Sequence, residues 1–322
     1  MNAAPTERGM ALLVVLVVIA LLTSLLVELG YSTLVDLRLT ETFRDSTRAY
    51  YLAKGGINAG RMLLQEDRND YDARSEPWSL GVVNYPVGEQ GSVTIQIEDQ
   101  DGKLALNRLV QGSNPQTVMV DRLYRLLVAM EIGDRADPAE LTAALLDWLD
   151  PDDTPYAEIR TDGLNIPTAG AEESHYRSLV EPYPCKNGPL ETLEELSLIK
   201  GFTPEIVRLL DPHLAINGAL QINLNTASLP VLMSLDREID RTTAEAIVAY
   251  RQQEPIRTIE QLEEILAAEA YPVLKTLANL QQIGTTSRYY RIEASSLVND
   301  GSRRLLADVD KQNNSLLFFK VN

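Results

Sequence analysis

The sequence is poor in the residues that form disulfides, metal–thiolate sites and histidine-based catalytic centres. Its 322 residues include one cysteine, Cys185, and two histidines, His175 and His213. A single cysteine excludes a disulfide within the chain and a multi-cysteine metal site. Neither histidine lies in a recognisable catalytic motif, and no P-loop, dinucleotide-binding, HExxH or GxSxG pattern occurs. We therefore expect no enzyme, although the many acidic pairs leave a carboxylate-based hydrolase open as an alternative.

Positive charge is also scarce. Lys and Arg number 29 against 46 Asp and Glu, so the net charge is −17, and the pI is about 4.6. Such a surface repels phosphate backbones, which argues against nucleic acid as a partner. The hydrophobic fraction of 45% is normal for a globular protein and allows a real core.

The N-terminal part lacks proline, since none occurs between Pro5 and Pro77. From Met10 to Val27 there is no charged residue, and about 20 apolar residues suffice to span a bilayer. Apolar residues continue at helical spacing beyond this block, which predicts one helix from about Met10 to about Glu66. The Ala-x-Ala site of a secretory signal peptide is missing. An uncleaved anchor that holds an arbitrary domain remains an alternative at this point.

Arg8-Gly9 followed by Met10 and an apolar helix resembles the processing site of type IV pilins and type II secretion pseudopilins. The resemblance implies that prepilin peptidase cleaves after Gly9 and that Met10 is then N-methylated. Residues 1–9 would be the leader peptide, and 10–27 the membrane-spanning and later filament-core half of the helix.

Val14 departs from the common pilin pattern. Most pilins carry Glu at the fifth position of the mature chain, where it pairs with the terminal amine of a neighbouring subunit. A carboxylate inside an apolar helix is costly unless it is paired. Absence of this Glu is characteristic of the K-type minor pseudopilin, which sits at the filament tip.

Alternating patterns predict a β-sheet at both ends of the body. Residues 91–109 alternate apolar and polar side chains around Asp101-Gly102, which suits a hairpin turn. Three further strands are predicted in 285–322, which gives about five in all. The stretch between them is mostly helical. We expect residues 28–109 to hold the rest of the helix and the first strands, and 110–284 to be a helical domain inserted into the sheet.

This organisation resembles the K-type pseudopilin over essentially the whole chain. The expected fold is α+β: a pilin-like long helix packed on an antiparallel β-sheet, with a large inserted α-helical domain that contains helix-hairpin-helix or SAM-like units. The implied function is a minor pseudopilin at the tip of the type II secretion pseudopilus, which helps to initiate its assembly and protein export. The implied location is the bacterial inner membrane, single pass, with the body in the periplasm. The implied partners are the I, J and H types of minor pseudopilin through the N-terminal helix, prepilin peptidase, the inner-membrane platform and secreted substrates.

An acidic cluster surrounds the segment that follows Leu149. Taken alone, such a cluster is either a solvated turn or a Ca²⁺ site built from carboxylates. The segments Trp148-x-Asp150-x-Asp152 and Gly170-Ala171-Glu172-Glu173-x-x-Tyr176 resemble the calcium-binding segments of K-type pseudopilins. The resemblance implies calcium as cofactor, with six candidate ligands: Asp150, Asp152, Asp153, Glu172, Glu173 and Asp147.

Residues 222–262 resemble the helix-hairpin-helix module of competence proteins, which leaves a membrane-anchored DNA-binding protein as a second alternative. That module binds DNA through a Gly-rich hairpin whose backbone amides meet phosphate. The corresponding segment here, LDREIDRTTAE, has no glycine. The residues therefore favour a packing unit over a DNA-binding one.

Overall fold

A computed structural model describes residues 6–88 and 91–321, with side chains from Gly9 onward. Residues 1–5 of the expected leader lie outside the described residues. The helices are α1 Thr6–Glu66, α2 Pro77–Leu80, α3 Thr117–Ala129, α4 Pro138–Leu149, α5 Glu173–Arg177, α6 Pro204–Leu210, α7 Leu229–Ser234, α8 Arg241–Gln253 and α9 Ala270–Asn279. The strands are β1 Val82–Val87, β2 Gly91–Asp99, β3 Leu104–Ala105, β4 Val110–Gln111, β5 Asn114–Pro115, β6 Glu158–Thr161, β7 Leu164–Pro167, β8 Leu214–Ala215, β9 Ile222–Asn223, β10 Ile283–Gly284, β11 Tyr289–Val298, β12 Gly301–Asp310 and β13 Ser315–Val321.

The helix α1 is continuous to Glu66, as the proline-free sequence predicts. At 1.5 Å per residue it is about 90 Å long. Its first part is exposed on every side and is long and apolar enough to cross a membrane. From Asp45 onward one face packs on the sheet, and Ala49, Ala53, Ile57 and Leu64 are buried there.

Two glycines let α1 approach the sheet closely. A Cβ at Gly56 would lie 2.9 Å from the Ala294 Cβ, and one at Gly60 would lie 2.8 Å from Ile292 Cγ2. Both separations are shorter than side chains tolerate, so a larger residue would push the helix off the strands. Compared with alanine, each of these glycines makes helix formation less favourable by about 1 kcal/mol, but each permits the close contact with the sheet.

The sheet on which α1 packs has five antiparallel strands among the described residues, in the order β1-β2-β11-β12-β13. Strands β2 and β11 are neighbours in the sheet although the whole helical region separates them in sequence. Val93, Ile95, Ile292 and Leu305 point toward α1 and form one small core with it. The helical region is therefore an insertion into the sheet, and the predicted fold class is confirmed.

The predicted hairpin at Asp101-Gly102 is wrong. The chain leaves the sheet after Asp99, and β3 pairs in parallel with β8 in the insertion. The fifth strand of the sheet is instead β1, which precedes β2. The reason is that the Asp101 carboxylate accepts hydrogen bonds from the backbone N–H groups of Ala219, Arg288 and Tyr289, so this turn serves as the junction between sheet and insertion.

The insertion has its own, larger core. Leu123, Leu126 and Leu127 of α3 are fully buried, as are Leu145 of α4 and Leu232 of α7. Arg122 is also fully inside, where its guanidinium donates to the carbonyl oxygens of Leu220 and Gln282 at 2.8 and 3.0 Å. These bonds tie α3 to the segments that lead into β9 and β10.

Candidate metal centre

The candidate centre lies where α4 ends and α5 begins. Asp137 caps the start of α4 by accepting the Ala139 N–H at 2.8 Å, and Pro138 occupies the first turn. At Asp150 the backbone becomes extended, which stops the helix and starts the acidic loop. A hairpin of β6 and β7 then returns the chain so that Glu172, the residue before α5, faces the end of α4.

Three carboxylates come together there. Asp150, Asp152 and Glu172 each place one oxygen within 4.8 Å of the others. Asp150 and Glu172 are 1% and 2% exposed, whereas Asp152 is exposed. Asp150 Oδ1 and both Glu172 oxygens are buried, without a hydrogen-bond partner among the described residues. Buried carboxylate oxygens are normally paired, so three unpaired ones at one point mark a place where a cation could bind.

Burial and mutual repulsion perturb these acids. Burial, and next the charges of Asp147 and Asp150, raise the pKa of Glu172 to about 8. Burial, and next the charge of Asp152, raises the pKa of Asp150 to about 6. A divalent cation at this point would stabilise the charged forms of both acids.

The donor set fits calcium. Ca²⁺ binds carboxylate, carbonyl and amide oxygens with flexible geometry, and thiolate or imidazole groups are not needed. Asp150 and Glu172 offer inner oxygens, and Asp152 supplies a third from the solvent side. The centre could hold the ion between the end of α4 and the segment before α5.

Asp147 lies at the same place but has no free oxygen. Its Oδ1 accepts the Tyr156 N–H at 2.9 Å, and its Oδ2 accepts the Ala171 N–H. Burial raises its pKa to about 6. The structure therefore gives Asp147 a positioning role, in which it ties the loop after α4 to the segment that carries Glu172.

Glu173 and Asp153 also differ from the three central acids. The Glu173 carboxylate accepts hydrogen bonds from Arg177 Nε at 2.6 Å and from the Cys185 N–H at 2.7 Å. Both of its oxygens therefore have partners outside the group of three acids. The hydrogen bond from Arg177 lowers the pKa of Glu173. Asp153 is exposed and accepts Asn187 Nδ2 at 3.0 Å. Of the six sequence-predicted ligands, the structure brings together Asp150, Asp152 and Glu172.

Sequence reasoning missed Asn187. Its Nδ2 also donates to the Asp152 carbonyl oxygen at 3.1 Å, and its Oδ1 is buried without a partner among the described residues. The backbone of Asn187 is left-handed, with φ of 46°. The Asn-Gly pair at 187–188 signals such a turn, but only the fold places it against the acidic loop.

The aromatic residues of the two matched segments serve packing. The Trp148 and Tyr176 rings meet edge to face with centroids 5.1 Å apart, and Tyr183 stacks on Tyr176. The Tyr176 hydroxyl accepts the Lys200 N–H at 3.3 Å. This cluster forms an apolar base beneath the acids.

A second acidic group, Asp67, Asp72 and Glu76, is already satisfied. Lys311 Nζ lies 2.7 Å from Asp67 and 2.8 Å from Asp72. Glu76 accepts the Trp78 Nε1–H at 3.1 Å and the Ala73 N–H at 2.6 Å. Because a lysine already balances this group, it shows no need for a metal ion.

The structure disfavours the DNA-binding alternative. In a helix-hairpin-helix module, the backbone amides at the start of the second helix face phosphate. Here the Asp240 carboxylate accepts the Thr243 N–H at 2.8 Å at the start of α8, and Asp236 accepts the Glu238 N–H at 3.0 Å in the hairpin. Carboxylates occupy the positions that an anion would need.

Neither histidine lies in the acidic centre as a ligand. His213 Nδ1 is 2.7 Å from Ser228 Oγ, and among the described residues no carboxylate hydrogen-bonds to this ring. Gly9 and Met10, the predicted cleavage residues, lie within α1, and the Met10 side chain is 66% exposed.

Comparison with known proteins decides the family. Two models of "Type II secretion system (T2SS), protein K" match residues 102–218 and 222–283, together more than half of the chain. The chain belongs to this family. Both matched stretches lie within the insertion and its junctions, and the first contains the acidic centre.

Relatives of the family extend the match over most of the chain. Protein K of Pectobacterium carotovorum is 28% identical over 273 residues, which is 80% of this chain and 79% of the relative. Protein K of Pseudomonas aeruginosa is 26% identical over 313 residues, which is 95% and 89%. The protein is thus a minor pseudopilin of type II secretion, as the sequence predicted. This family is a structural component of the secretion system.

A solved structure supports the fold independently. A chain of the GspK-GspI-GspJ complex from enterotoxigenic Escherichia coli superimposes with a TM-score of 0.64 at 17% identity. The match covers 88% of this chain and 99% of the other. The two proteins therefore share an overall fold over the covered part of this chain.

Proposed function

We propose that this protein caps the tip of a type II secretion pseudopilus and helps to initiate its assembly. One observation carries the proposal: the insertion leaves the sheet at the pole opposite the free apolar helix. At one pole, where α1 enters the body, Asn299 Nδ2 donates to Asp45 at 3.0 Å. At the other pole, Gln65 near the end of α1 donates to the Lys311 carbonyl oxygen at 2.6 Å, close to the junction at Asp101 and Arg288.

This polarity restricts where the subunit fits in a filament. In a helical filament each body lies above the body of the subunit that joined after it. The insertion extends beyond the sheet on the side where a preceding subunit would have to sit. A filament that starts with this protein avoids the collision, because nothing lies above the first subunit.

The N-terminal helix supports the route into the filament. We propose that prepilin peptidase cleaves after Gly9, that Met10 is N-methylated, and that α1 holds the protein in the inner membrane with its body in the periplasm. The exposed apolar block around Leu12–Leu26 suits storage in lipid and later burial among other helices. We propose the other minor pseudopilins, of the I, J and H types, as its neighbours in the filament.

We also propose that Asp150, Asp152 and Glu172 bind Ca²⁺. When bound, the ion would supply the positive charge that the buried oxygens lack, and would link the end of α4 to the start of α5. Asp153 and Asn187 support the loop from outside, and Asp147 holds its two sides together.

Cleavage is tested by mass spectrometry of the full chain co-expressed with a prepilin peptidase. We expect an N-terminal peptide that begins at N-methylated Met10, and a Gly9→Leu variant that keeps residues 1–9. A product that still begins at Met1, or one cut downstream of Leu26, would contradict the proposal.

The tip position is tested by immunogold labelling of the insertion on overproduced pseudopili. We expect one label at one end of each filament. Labels spread along the filament would show that the insertion does not block stacking, and the capping role would then be wrong.

A further inference from the structure

An apolar cleft runs along one flank of α1. The helix packs mainly on β2, β11 and β12, so that the edge strand β1 stays largely uncovered. Between α1 and β1 lies a cleft of about 380 Å³. Tyr51 lines it from the helix and Tyr85 from the strand, and these two side chains are 64% and 60% exposed. The cleft and its exposed lining residues form an apolar surface on the body, well away from the membrane-spanning block.

Gly55, which lines the cleft, has no explanation within the chain. Its φ is not left-handed, and apart from its chain neighbours and the backbone of its own helix, no described atom comes within 4 Å of the position that its Cβ would occupy. A glycine inside a helix lowers stability relative to alanine. Gly56 and Gly60 are explained by the sheet beneath them, whereas Gly55 faces the open cleft. A missing side chain there allows another backbone to come close.

The shape of the cleft favours a helix over a strand as its occupant. A strand would have to add to the free edge of β1, but Pro86 lacks an N–H, and Asn84 has a left-handed φ of 49° beside a break in register. Such features prevent a further strand from forming regular hydrogen bonds with this edge. The stretch from Tyr51 to Ala59 is about 12 Å long, which matches about two helical turns.

We propose that this cleft receives the long apolar helix of a neighbouring pseudopilin, whose backbone crosses α1 at Gly55. The proposal rests on the proposed function, because a pseudopilin neighbour is what supplies such a helix. It is continuous with the rest of α1: Leu34 and Leu37 are both more than half exposed, and at 100° per residue they lie on the side of the helix that carries Gly55. A helix that covers them reaches the cleft next. The cleft would therefore fix the depth at which the neighbour docks.

Photo-crosslinking in membranes tests the contact on the full chain, co-expressed with the other pseudopilins of its system. p-Benzoylphenylalanine replaces Tyr51 or Tyr85 in the cleft, Val83 on the same strand outside the cleft, or Leu37 on the free helix. We expect Tyr51 and Tyr85 to give adducts with N-terminal helix peptides of another pseudopilin, and Val83 to give none.

The outcomes separate the two proposals. Adducts from Leu37 without any from Tyr51 and Tyr85 would overturn the cleft and leave the pseudopilin function standing. No pseudopilin adduct from any position would count against the proposed function itself. Adducts from the cleft to a second copy of this chain, or to strand peptides, would also overturn the helix as occupant.

A substitution pair provides a second measurement. Gly55→Leu fills the cleft, and Lys54→Leu adds the same side chain at an exposed neighbouring position that does not line it. We expect Gly55→Leu to keep or raise the Tm of the detergent-solubilised protein, yet to reduce co-purification of the neighbouring pseudopilin at least tenfold. Lys54→Leu should leave co-purification unchanged. Wild-type recovery with Gly55→Leu would overturn the docking site.

Discussion

Asp147 and Asp150 lie one helical turn apart and play different parts in the acidic centre. Both are fully buried. Each oxygen of Asp147 accepts a hydrogen bond from a backbone N–H group, whereas Asp150 Oδ1 has no partner among the described residues. The number of hydrogen bonds, and not the proximity to other acids, separates the positioning residue from the candidate ligand. The two residues can therefore be distinguished by substitution.

Glu172→Gln should have opposite effects with and without calcium. Without Ca²⁺, folding at pH 7 must protonate Glu172 or bury its charge among other acids. Glutamine removes that cost, so we expect the free energy of unfolding to stay constant or rise by about 1–2 kcal/mol. With Ca²⁺ the wild type should gain stability as any native-state ligand confers it, and the variant should gain little.

Thermal melts of the detergent-solubilised protein in EGTA and in calcium check this prediction. Glu173→Gln is the matched control, because Glu173 pairs with Arg177 and should keep the full calcium-dependent rise in Tm. An equal rise in Tm for wild type and Glu172→Gln would mean that the ion binds elsewhere or not at all.

Asp147→Asn should destabilise the protein whether or not calcium is present. An asparagine has one acceptor oxygen, so either the Tyr156 or the Ala171 N–H would face an amide hydrogen and lose its partner. We expect a loss of about 1–3 kcal/mol in the free energy of unfolding, measured by urea denaturation in EGTA. A variant as stable as the wild type would show that these bonds do not hold the loop.

At the level of elements, the contact between α1 and the sheet depends on small residues. Gly60→Val should force the helix away from Ile292, since even a Cβ at this position comes within 2.8 Å of that side chain. Overpacking of this kind costs about 1–3 kcal/mol. Chemical denaturation measures it, and Asn58→Val, at an exposed position of the same helix, is the control that should change stability far less.

The sequence predicts some elements well because their signals are local. The absence of proline and the helical spacing of Leu37, Tyr50 and Ile57 are enough to place α1, and its end at Glu66 agrees with the prediction. Strand β11 alternates between buried and more exposed residues along its whole length. Local patterning and backbone preference decide these elements, so a single sequence suffices.

Other elements depend on partners far away in the chain. Asp101-Gly102 has the residue types of a hairpin turn, but the Asp101 carboxylate accepts hydrogen bonds from the backbone N–H groups of Ala219 and Arg288. These partners are more than 100 residues away, so the local sequence gives no sign of them. Strand β1 contains Pro86 and was not predicted. In the acidic centre, the roles of Asp147 and Glu173 follow from contacts with loops that only the fold brings near.

At the scale of the whole molecule, sheet and insertion are joined by buried acids. Asp99 is 6% exposed and accepts hydrogen bonds from the Thr226 and Ser287 hydroxyls. Burial, and next the charge of Asp101, raises the pKa of Asp99 to about 7. The junction thus holds a carboxyl group that the folded state prefers to keep protonated.

The junction should make stability depend on pH. Since the pKa of Asp99 is raised on folding, the folded state binds more protons than the unfolded state between about pH 4 and pH 7, and stability falls as pH rises through this window. We expect Asp99→Asn to flatten that decline. Relative to the wild type, the free energy of unfolding of the variant should rise by on the order of 2 kcal/mol between pH 4 and pH 8.

Urea denaturation at a series of pH values checks this prediction, and Asp300→Asn, in the exposed turn at the opposite pole, serves as the control. Parallel pH profiles for wild type and Asp99→Asn would show that Asp99 is charged in the folded state throughout this range.

The insertion of the helical domain between β2 and β11 also dictates an order of events during biosynthesis. The register Ile95↔Ala294 joins residues on either side of the entire insertion, so the sheet cannot close until nearly all of the chain has emerged. Closing so long a loop is entropically costly unless its ends are already held together. The insertion has a separate core, and its folding brings Asp101 next to Arg288, which holds the two ends of the loop together. Until then β2 has an open edge beside an apolar helix, and the newly exported chain is at its most vulnerable to aggregation and proteolysis.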